Sequence, residues 1–170
     1  MDFKINIPQD FVLAKTLVYI PLGFSISEPI AELESAEYCA NDLKINDLRV
    51  KYRVAKITPT KIGQFVTLWK RLKNGPIQPF DDTDDIDFFI ISTRYENQFG
   101  QFIFPKSVLI EKGIISTKTK EGKRAIRVYP PWDIAVNTQA KKTQSWQLKY
   151  FLDISENKTI DLERAKMLFY

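Results

Sequence analysis

The sequence predicts a mixed α/β fold, α+β in arrangement, with a central and mostly β sheet flanked by helices. Three observations carry this. Residues 38–104 hold short runs rich in β-branched and aromatic residues, separated by Gly, Pro, Asn and Asp. Helical spacing of apolar residues recurs near the N-terminus and over the last third of the chain. The runs Phe65-Val66-Thr67-Leu68-Trp69 and Phe88-Phe89-Ile90-Ile91 are continuously apolar, as in strands covered on both faces. The 170 residues contain no linker or low-complexity segment, so one domain over residues 1–170 is expected.

Taken in order, residues 7–19 form a helix. Pro8 suits its first turn, Phe11, Ala14 and Val18 recur on one face with Leu17 beside them, and Pro21 and Gly23 end it. A short helical or extended piece follows Ser27-Glu28-Pro29. Residues 38–45 and 48–58 form a hairpin joined at Asn46-Asp47. Residues 63–72 are a third strand, entered through Pro59 and Gly63; 86–95 and 100–104 are a fourth and fifth. Residues 105–112 form a short helix ended by Gly113. Residues 118–124 are a polar turn, and 125–129 a strand stopped by Pro130-Pro131. Residues 138–153 form a helix capped by Asn137 or Thr138, with Gln144, Leu148, Phe151 and Leu152 on its buried face. Residues 159–169 close the chain as a last helix. Gly63-Gln64-Phe65-Val66 and Gly100-Gln101-Phe102-Ile103 echo one another, as two strands entered through similar glycine turns would.

Composition excludes several kinds of chemistry. There is no histidine, which removes His-based acid–base catalysis, the Ser-His-Asp and Cys-His arrangements and the usual zinc sites. Cys39 is the single cysteine and cannot form an intramolecular disulfide; it reads as a small buried hydrophobe. No glycine-rich phosphate loop or nucleophile elbow occurs, and no motif calls for a cofactor. No window is apolar enough to span a bilayer, and Met1-Asp2-Phe3-Lys4 does not open a secretion signal, so a cytoplasmic protein without membrane contact is expected.

The net charge of +4 is distributed in blocks. Residues 1–47 are acidic, with Glu28, Glu32, Glu34, Glu37 and Asp42 among their carboxylates. Residues 48–80 contain no acid and carry Arg49, Lys51, Arg53, Lys56, Lys61, Lys70, Arg71 and Lys73. An acidic knot follows at Asp81, Asp82, Asp84, Asp85 and Asp87. The chain then turns basic again, with Lys118, Lys120, Lys123, Arg124, Arg127, Lys141, Lys142 and Lys149. Such segregation favours polyanionic partners, although local runs on a solvated surface produce the same pattern.

Within the basic block, Val50, Tyr52 and Val54 face one way and Lys51 and Arg53 the other. By that parity Lys56 falls on the apolar side, where it either ends the strand or points into a cleft. Lys61 lies in the turn Thr58-Pro59-Thr60-Lys61-Ile62-Gly63, where amides and a lysine can hold a phosphate. Trp69-Lys70-Arg71 ends the next strand. Lysines and arginines neutralise phosphates and aromatic rings stack on unpaired bases, a combination suited to RNA or single-stranded DNA. Taken singly, Phe65 and Trp69 are as well explained as core residues. On the helix over 138–153, Lys142, Trp146 and Lys149 share a face at helical spacing, either a stacking surface or a tryptophan beneath lysine stems. The acidic knot lacks the spacing and glycine of a calcium loop, and reads either as a divalent-metal site or as a turn ending a sheet.

Several stretches together resemble the MepB family. They are Ala55-Lys56-Ile57-Thr58-Pro59-Thr60-Lys61-Ile62-Gly63-Gln64-Phe65-Val66-Thr67-Leu68-Trp69-Lys70-Arg71, Gly100-Gln101-Phe102-Ile103-Phe104-Pro105-Lys106, Gly122-Lys123-Arg124-Ala125-Ile126-Arg127-Val128-Tyr129-Pro130 and Gln139-Ala140-Lys141-Lys142-Thr143-Gln144-Ser145-Trp146-Gln147. The resemblance runs over nearly the whole chain. It implies a fold like that of the PD-(D/E)XK nucleases, nucleic-acid binding, and a degenerate catalytic site. It also implies a bacterial protein, one family member being encoded beside a multidrug efflux pump and its repressor.

A working nuclease of that kind needs an Asp followed by acid-x-Lys on a neighbouring strand, the two carboxylates holding Mg²⁺. The best candidate here runs from Asp85 or Asp87 to Phe104-Pro105-Lys106, with Phe104 where the second acid belongs. Val54-Ala55-Lys56 and Leu68-Trp69-Lys70 also put an apolar residue there. The expectation is therefore a non-catalytic protein, a monomer or weak dimer, that binds RNA or single-stranded DNA through Lys56, Lys61, Lys70, Arg71, Lys106, Arg127, Lys142, Trp146 and Lys149. The alternatives are a Mg²⁺-dependent nuclease with an acid relocated to Glu32, Glu34 or Glu37, and a regulatory module whose acidic N-terminal third meets a basic partner.

Overall fold

A computed structural model describes residues 8–170. Ile7, with which the first expected helix begins, lies outside them. Helix α1 (Gln9–Ala14) starts behind Pro8 and continues as a π-helical turn over Lys15–Tyr19. The wider turn changes which side chains face inward: Phe11, Ala14, Val18 and Tyr19 are buried, while Leu17 faces solvent.

The main sheet has six strands. The expected hairpin is β2 (Asn41–Ile45) and β3 (Leu48–Val54), and its turn residues Asn46 and Asp47 both have left-handed φ values, 50° and 66°, as a tight two-residue turn requires. The stretch after Ser27 is extended and contributes β1 (Ile30–Ala31) to the edge beside β2. On the other side β3 runs parallel to β8 (Phe88–Tyr95), which pairs antiparallel with β9 (Gln98–Pro105). The far edge is β11 (Phe151–Asp153), giving the order β1-β2-β3-β8-β9-β11.

As its unbroken apolar run predicts, β8 is covered on both faces, and each face has its own core. Phe11, Val18, Tyr19, Val50, Tyr52, Ile90 and Ile103 fill one, closed by α4 (Leu162–Leu168) through Ala165 and by Phe169 just after it. Inside it, the Tyr19 hydroxyl donates to Gln101 Oε1, Gln101 Nε2 donates to Ser92 Oγ at 3.0 Å, and the Tyr52 and Ser92 hydroxyls share a 2.7 Å bond. These buried polar groups satisfy one another. The second core holds Phe89, Ile91, Phe102 and Phe104 from the sheet and Leu109 from α2 (Lys106–Glu111). It also takes Val66 from β5 (Gln64–Thr67) and Val128 from β10 (Ala125–Val128).

Three expectations are corrected. Residues 48–58 are not one strand: β3 ends at Val54, Ala55 drops into the second core, and Lys56–Ile57 form the separate strand β4. Residues 63–72 are not one central strand either. β5 is the middle of a small sheet, order β10-β5-β4, and β6 (Trp69–Arg71) pairs with β7 (Ile77–Pro79) in another. Burial along β5 alternates, so it has one buried face. Finally, the helix over 138–153 is shorter than its pattern. Helix α3 (Thr138–Gln147) is capped by Asn137, whose Oδ1 accepts from Ala140 N–H, and gives way to a 3-10 turn and then to β11. Phe151 and Leu152 gain more by pairing with Phe102 and Gln101 of β9 than from another helical turn. The echo of Gly63 and Gly100 has no structural counterpart: Gly63 opens β5 from a turn with φ +86°, whereas Gly100 lies inside β9. Among the described residues no helix is long and apolar enough to cross a membrane.

Candidate nucleic-acid interface

Much of the cationic strip at residues 49–73 is neutralised from within. Lys51 Nζ bridges Glu32 at 3.1 Å and Asp42 at 2.6 Å. Arg53 is buried against Glu32 and the carbonyl of Thr67. Arg49 pairs with Asp85, and Arg71 with Glu34 at 2.9 Å. The acidic blocks on either side of the strip in sequence thus fold back as its counter-ions.

The acidic knot serves the same end. Lys70 Nζ reaches Asp81 at 2.7 Å and Asp84 at 2.8 Å. Burial opposes the Lys70 charge, but hydrogen bonds to the two aspartates outweigh it and raise its pKa. Asp81 is held down to about 2 by its hydrogen bond from Lys70, helped by Thr83. Lys106 donates to the carbonyls of Asp82 (2.8 Å) and Asp84, fastening the loop from beneath. The reading as a structured acidic turn fits this geometry.

The sheet β10-β5-β4 carries a different arrangement. Lys56, Phe65 and Arg127 are directly opposite one another on its three strands, so their side chains form one cross-strand row. The Arg127 guanidinium lies 5.8 Å from the Phe65 ring centre, and its Nη1 donates to the carbonyl of Gly63 at 3.3 Å. Lys56 neither ends β3, which stops at Val54, nor lies on its apolar side: it opens β4, is exposed, and its Nζ sits 5.1 Å from the ring centre of Tyr38.

Arg127 also belongs to a groove of about 690 Å³ between β10, α3 and the loop before β5. Among the described residues its charged lining residues are Lys61, Lys112, Lys123 and Arg127, and no carboxylate lines it. Two glycines shape the walls. A Cβ on Gly63 would meet the Tyr129 ring at 2.7 Å, so only glycine lets the Lys61 loop close over β10. A Cβ on Gly122 would lie 2.3 Å from the carbonyl of Ile114, and that close approach lets Lys123 N–H bond Ile114 at 2.8 Å and brings Lys123 near Lys112. On the opposite wall, Gln147 acts as a substitute strand: its Oε1 accepts from Tyr129 N–H at 2.8 Å and its Nε2 donates to the Arg127 carbonyl at 2.9 Å. Gln144 donates to the carbonyls of Pro130 and Asp133. Trp146 faces the groove with its ring 5.5 Å from Phe104 on the core side and Lys112 Nζ 5.5 Å from its centre.

Of the nine residues picked from sequence, Lys56, Lys61, Arg127 and Trp146 come together in the row and groove. Lys70, Arg71 and Lys106 are engaged in the contacts above. Lys142 and Lys149 are exposed on α3 and the turn after it, outside the groove lining. Sequence reasoning missed Lys112 and did not single out Lys123, which lies in the second basic block. Only the turn at 113–123 brings these two together, and local periodicity carries no sign of it.

The positions where a nuclease would keep its acids are occupied otherwise. Phe104 is fully buried and stacked on Phe102 at 5.4 Å. Ala55 is core, Trp69 lies under Arg71, and Asp87 Oδ2 accepts from Arg49 N–H at 2.8 Å. Glu32 and Glu34 are ion-paired, and Glu37 is exposed.

A sequence model of the family described as MepB-like matches residues 32–153. No curated protein sequence matches the chain. Similar solved structures include the following two. The crystal structure of MepB is 37% identical, with a TM-score of 0.75, over 89% of this chain and 99% of that one. A bacterial homing endonuclease, I-Ssp6803I, is 14% identical, with a TM-score of 0.50, over 87% of this chain and 93% of its own. At that identity the likeness is one of fold, and the fold is nuclease-like.

Proposed function

The chain belongs to the MepB-like family, and from that premise we propose that it binds single-stranded nucleic acid in the basic groove without cleaving it. One observation carries the reading: Lys61, Lys112, Lys123 and Arg127 line a single groove that no carboxylate of the described residues enters. Arg49, Lys51, Arg53, Lys70 and Arg71 are each paired with the chain's own acids, whereas here the positive charge is left for a ligand. The volume falls in the range of small-ligand sites, roughly 300–1,000 Å³, the scale of a nucleotide or two and not of a duplex. Trp146 and the Lys56–Phe65–Arg127 row add aromatic and cationic surface of the kind that holds unpaired bases and the phosphates between them. RNA and single-stranded DNA share that chemistry.

The carboxylates support the part of this reading that excludes cleavage. Metal-assisted hydrolysis needs acids free to bind Mg²⁺. Glu32 and Asp42 are committed to Lys51 and Arg53, and the acid position before Lys106 is a buried phenylalanine. The nuclease-like fold makes the opposite outcome worth measuring directly.

The test is fluorescence anisotropy with labelled RNA, single-stranded DNA and duplex across a salt series. Affinity for the single strands should fall with a log–log slope of about 3, taking roughly 0.7 per phosphate and four cations. The same oligonucleotides should stay intact when incubated with the pure protein and Mg²⁺ or Mn²⁺. No binding at low salt sinks the reading, and metal-dependent cleavage replaces it with a nuclease.

A further inference from the structure

The two walls of the groove differ in kind, and we infer that they divide the work: the sheet wall holds the phosphates of a single strand and the α3 wall reads its bases. This deepens the proposed function and rests on it. The four cations all come from the sheet side, from the loop before β5, the end of α2 and strand β10 with its approach. Lys61 lies beside Arg127, because the Arg127 guanidinium bonds the Gly63 carbonyl that ends the Lys61 loop. Lys123, four residues before Arg127 across a bend at Arg124, and Lys112, at the end of α2, lie at the other end. At about 3.3 Å per residue the two charged ends are at most roughly 13 Å apart, a span of about two backbone units of a single strand.

The α3 wall carries no charge. Its residues in the groove are Gln139, Ala140, Thr143, Trp146 and Gln147, which recur at the spacing of one helix face. Gln144 and Gln147 commit their side-chain amides to backbone groups of residues 127–133, and so hold the helix rigidly against β10. Gln139 and Thr143 have no such partner among the described residues and present an amide and a hydroxyl to the groove. An amide offers a donor and an acceptor side by side, which is what a base edge requires. Trp146 adds a ring one turn further on. Phosphates are attracted to the cationic wall, and a strand laid along it turns its bases toward the helix. Phosphate contacts set position and base contacts set preference, so the two sets of residues should be separable by mutation.

The experiment compares four ligands, oligo(U), oligo(A), oligo(dT) and oligo(dA), across a salt series. The proteins are the full chain, Lys61→Gln/Lys123→Gln and Gln139→Ala/Thr143→Val, each checked by thermal melting for an unchanged fold. The sheet-wall variant should lower affinity for all four ligands alike and reduce the salt slope by about 1.4, twice the roughly 0.7 per single-strand phosphate. The helix-wall variant should leave the slope unchanged and alter the U-to-A ratio roughly fivefold or more. Comparing U with dT tells whether ribose is preferred. The inference is overturned if the helix-wall variant weakens every ligand equally, or if the base ratio follows the sheet wall. If the unaltered chain binds none of the four, the proposed function itself fails, a result distinct from binding without separation of the walls.

Discussion

Lys70 shows how a residue singled out as a ligand contact acts as a structural counter-ion. Its ammonium is half-buried between Asp81 and Asp84, and the loop at 81–84 is built around it. Replacing it with methionine keeps the stem and leaves two aspartates facing each other. The expected loss is about 1–3 kcal/mol, since bonds to charged groups are worth about that much. The pH dependence gives an independent check. The Asp81 pKa is depressed to about 2, against roughly 3.9 for an unfolded aspartate. A depressed carboxylate contributes stability above its unfolded pKa and loses it as pH falls through the folded value. The excess stability of the wild type over Lys70→Met, read from urea unfolding, should therefore be full at pH 5 and shrink between about pH 4 and pH 2. A constant difference across that window would show that the ion pair is not what the substitution removes. The sequence made Lys70 visible as a cation but not as a paired one, because its partners lie on a loop whose path is set by β7 and by the bridge of Asp81 to Ser116.

At the scale of elements, turns and caps were legible and long-range edges were not. Asn46-Asp47 and Asn137 are local signals, and each does in the structure what its chemistry predicts. Asn137→Ala should cost about 1 kcal/mol, the usual worth of an N-cap, measurable by thermal or urea unfolding. By contrast, β11 reads as the end of a helix until its partner β9 is known. That pairing depends on Gly100, where a Cβ would lie 2.1 Å from Phe151 Cζ and 2.6 Å from the Leu152 carbonyl. The ring can turn away but the backbone carbonyl cannot, so Gly100→Ala should destabilise by about 1–3 kcal/mol or more. Amide exchange should then rise first across residues 151–153; protection there equal to that of β8 would count against this account. The same blindness to distant partners split residues 63–72 between two sheets. Half the apolar run serves β10 and the other half serves β7, and nothing in the run itself marks Leu68 as the crossover.

For the molecule as a whole, charge order in sequence and charge order in space are different things. Blocks of acid and base alternate along the chain, yet folding sets Glu32, Glu34, Asp42, Asp81, Asp84 and Asp85 against the cations of residues 49–71. Among the described residues, four cations that take part in no such pair, Lys61, Lys112, Lys123 and Arg127, line the groove. Arg49→Gln/Arg71→Gln and Lys61→Gln/Lys123→Gln each remove two positive charges from a chain of net charge +4. If overall charge governed binding to a polyanion, the two variants would behave alike. If the groove governs it, they separate, because a charge that does not line the groove acts through solvent and is screened over about 8 Å at physiological salt. Only the groove pair should lower the salt slope of single-strand binding, by about 1.4, while the Arg49/Arg71 pair should leave slope and affinity within about twofold of the unaltered chain. Equal effects from both would mean that the strip, with its ion pairs opened by the ligand, is the binding surface after all.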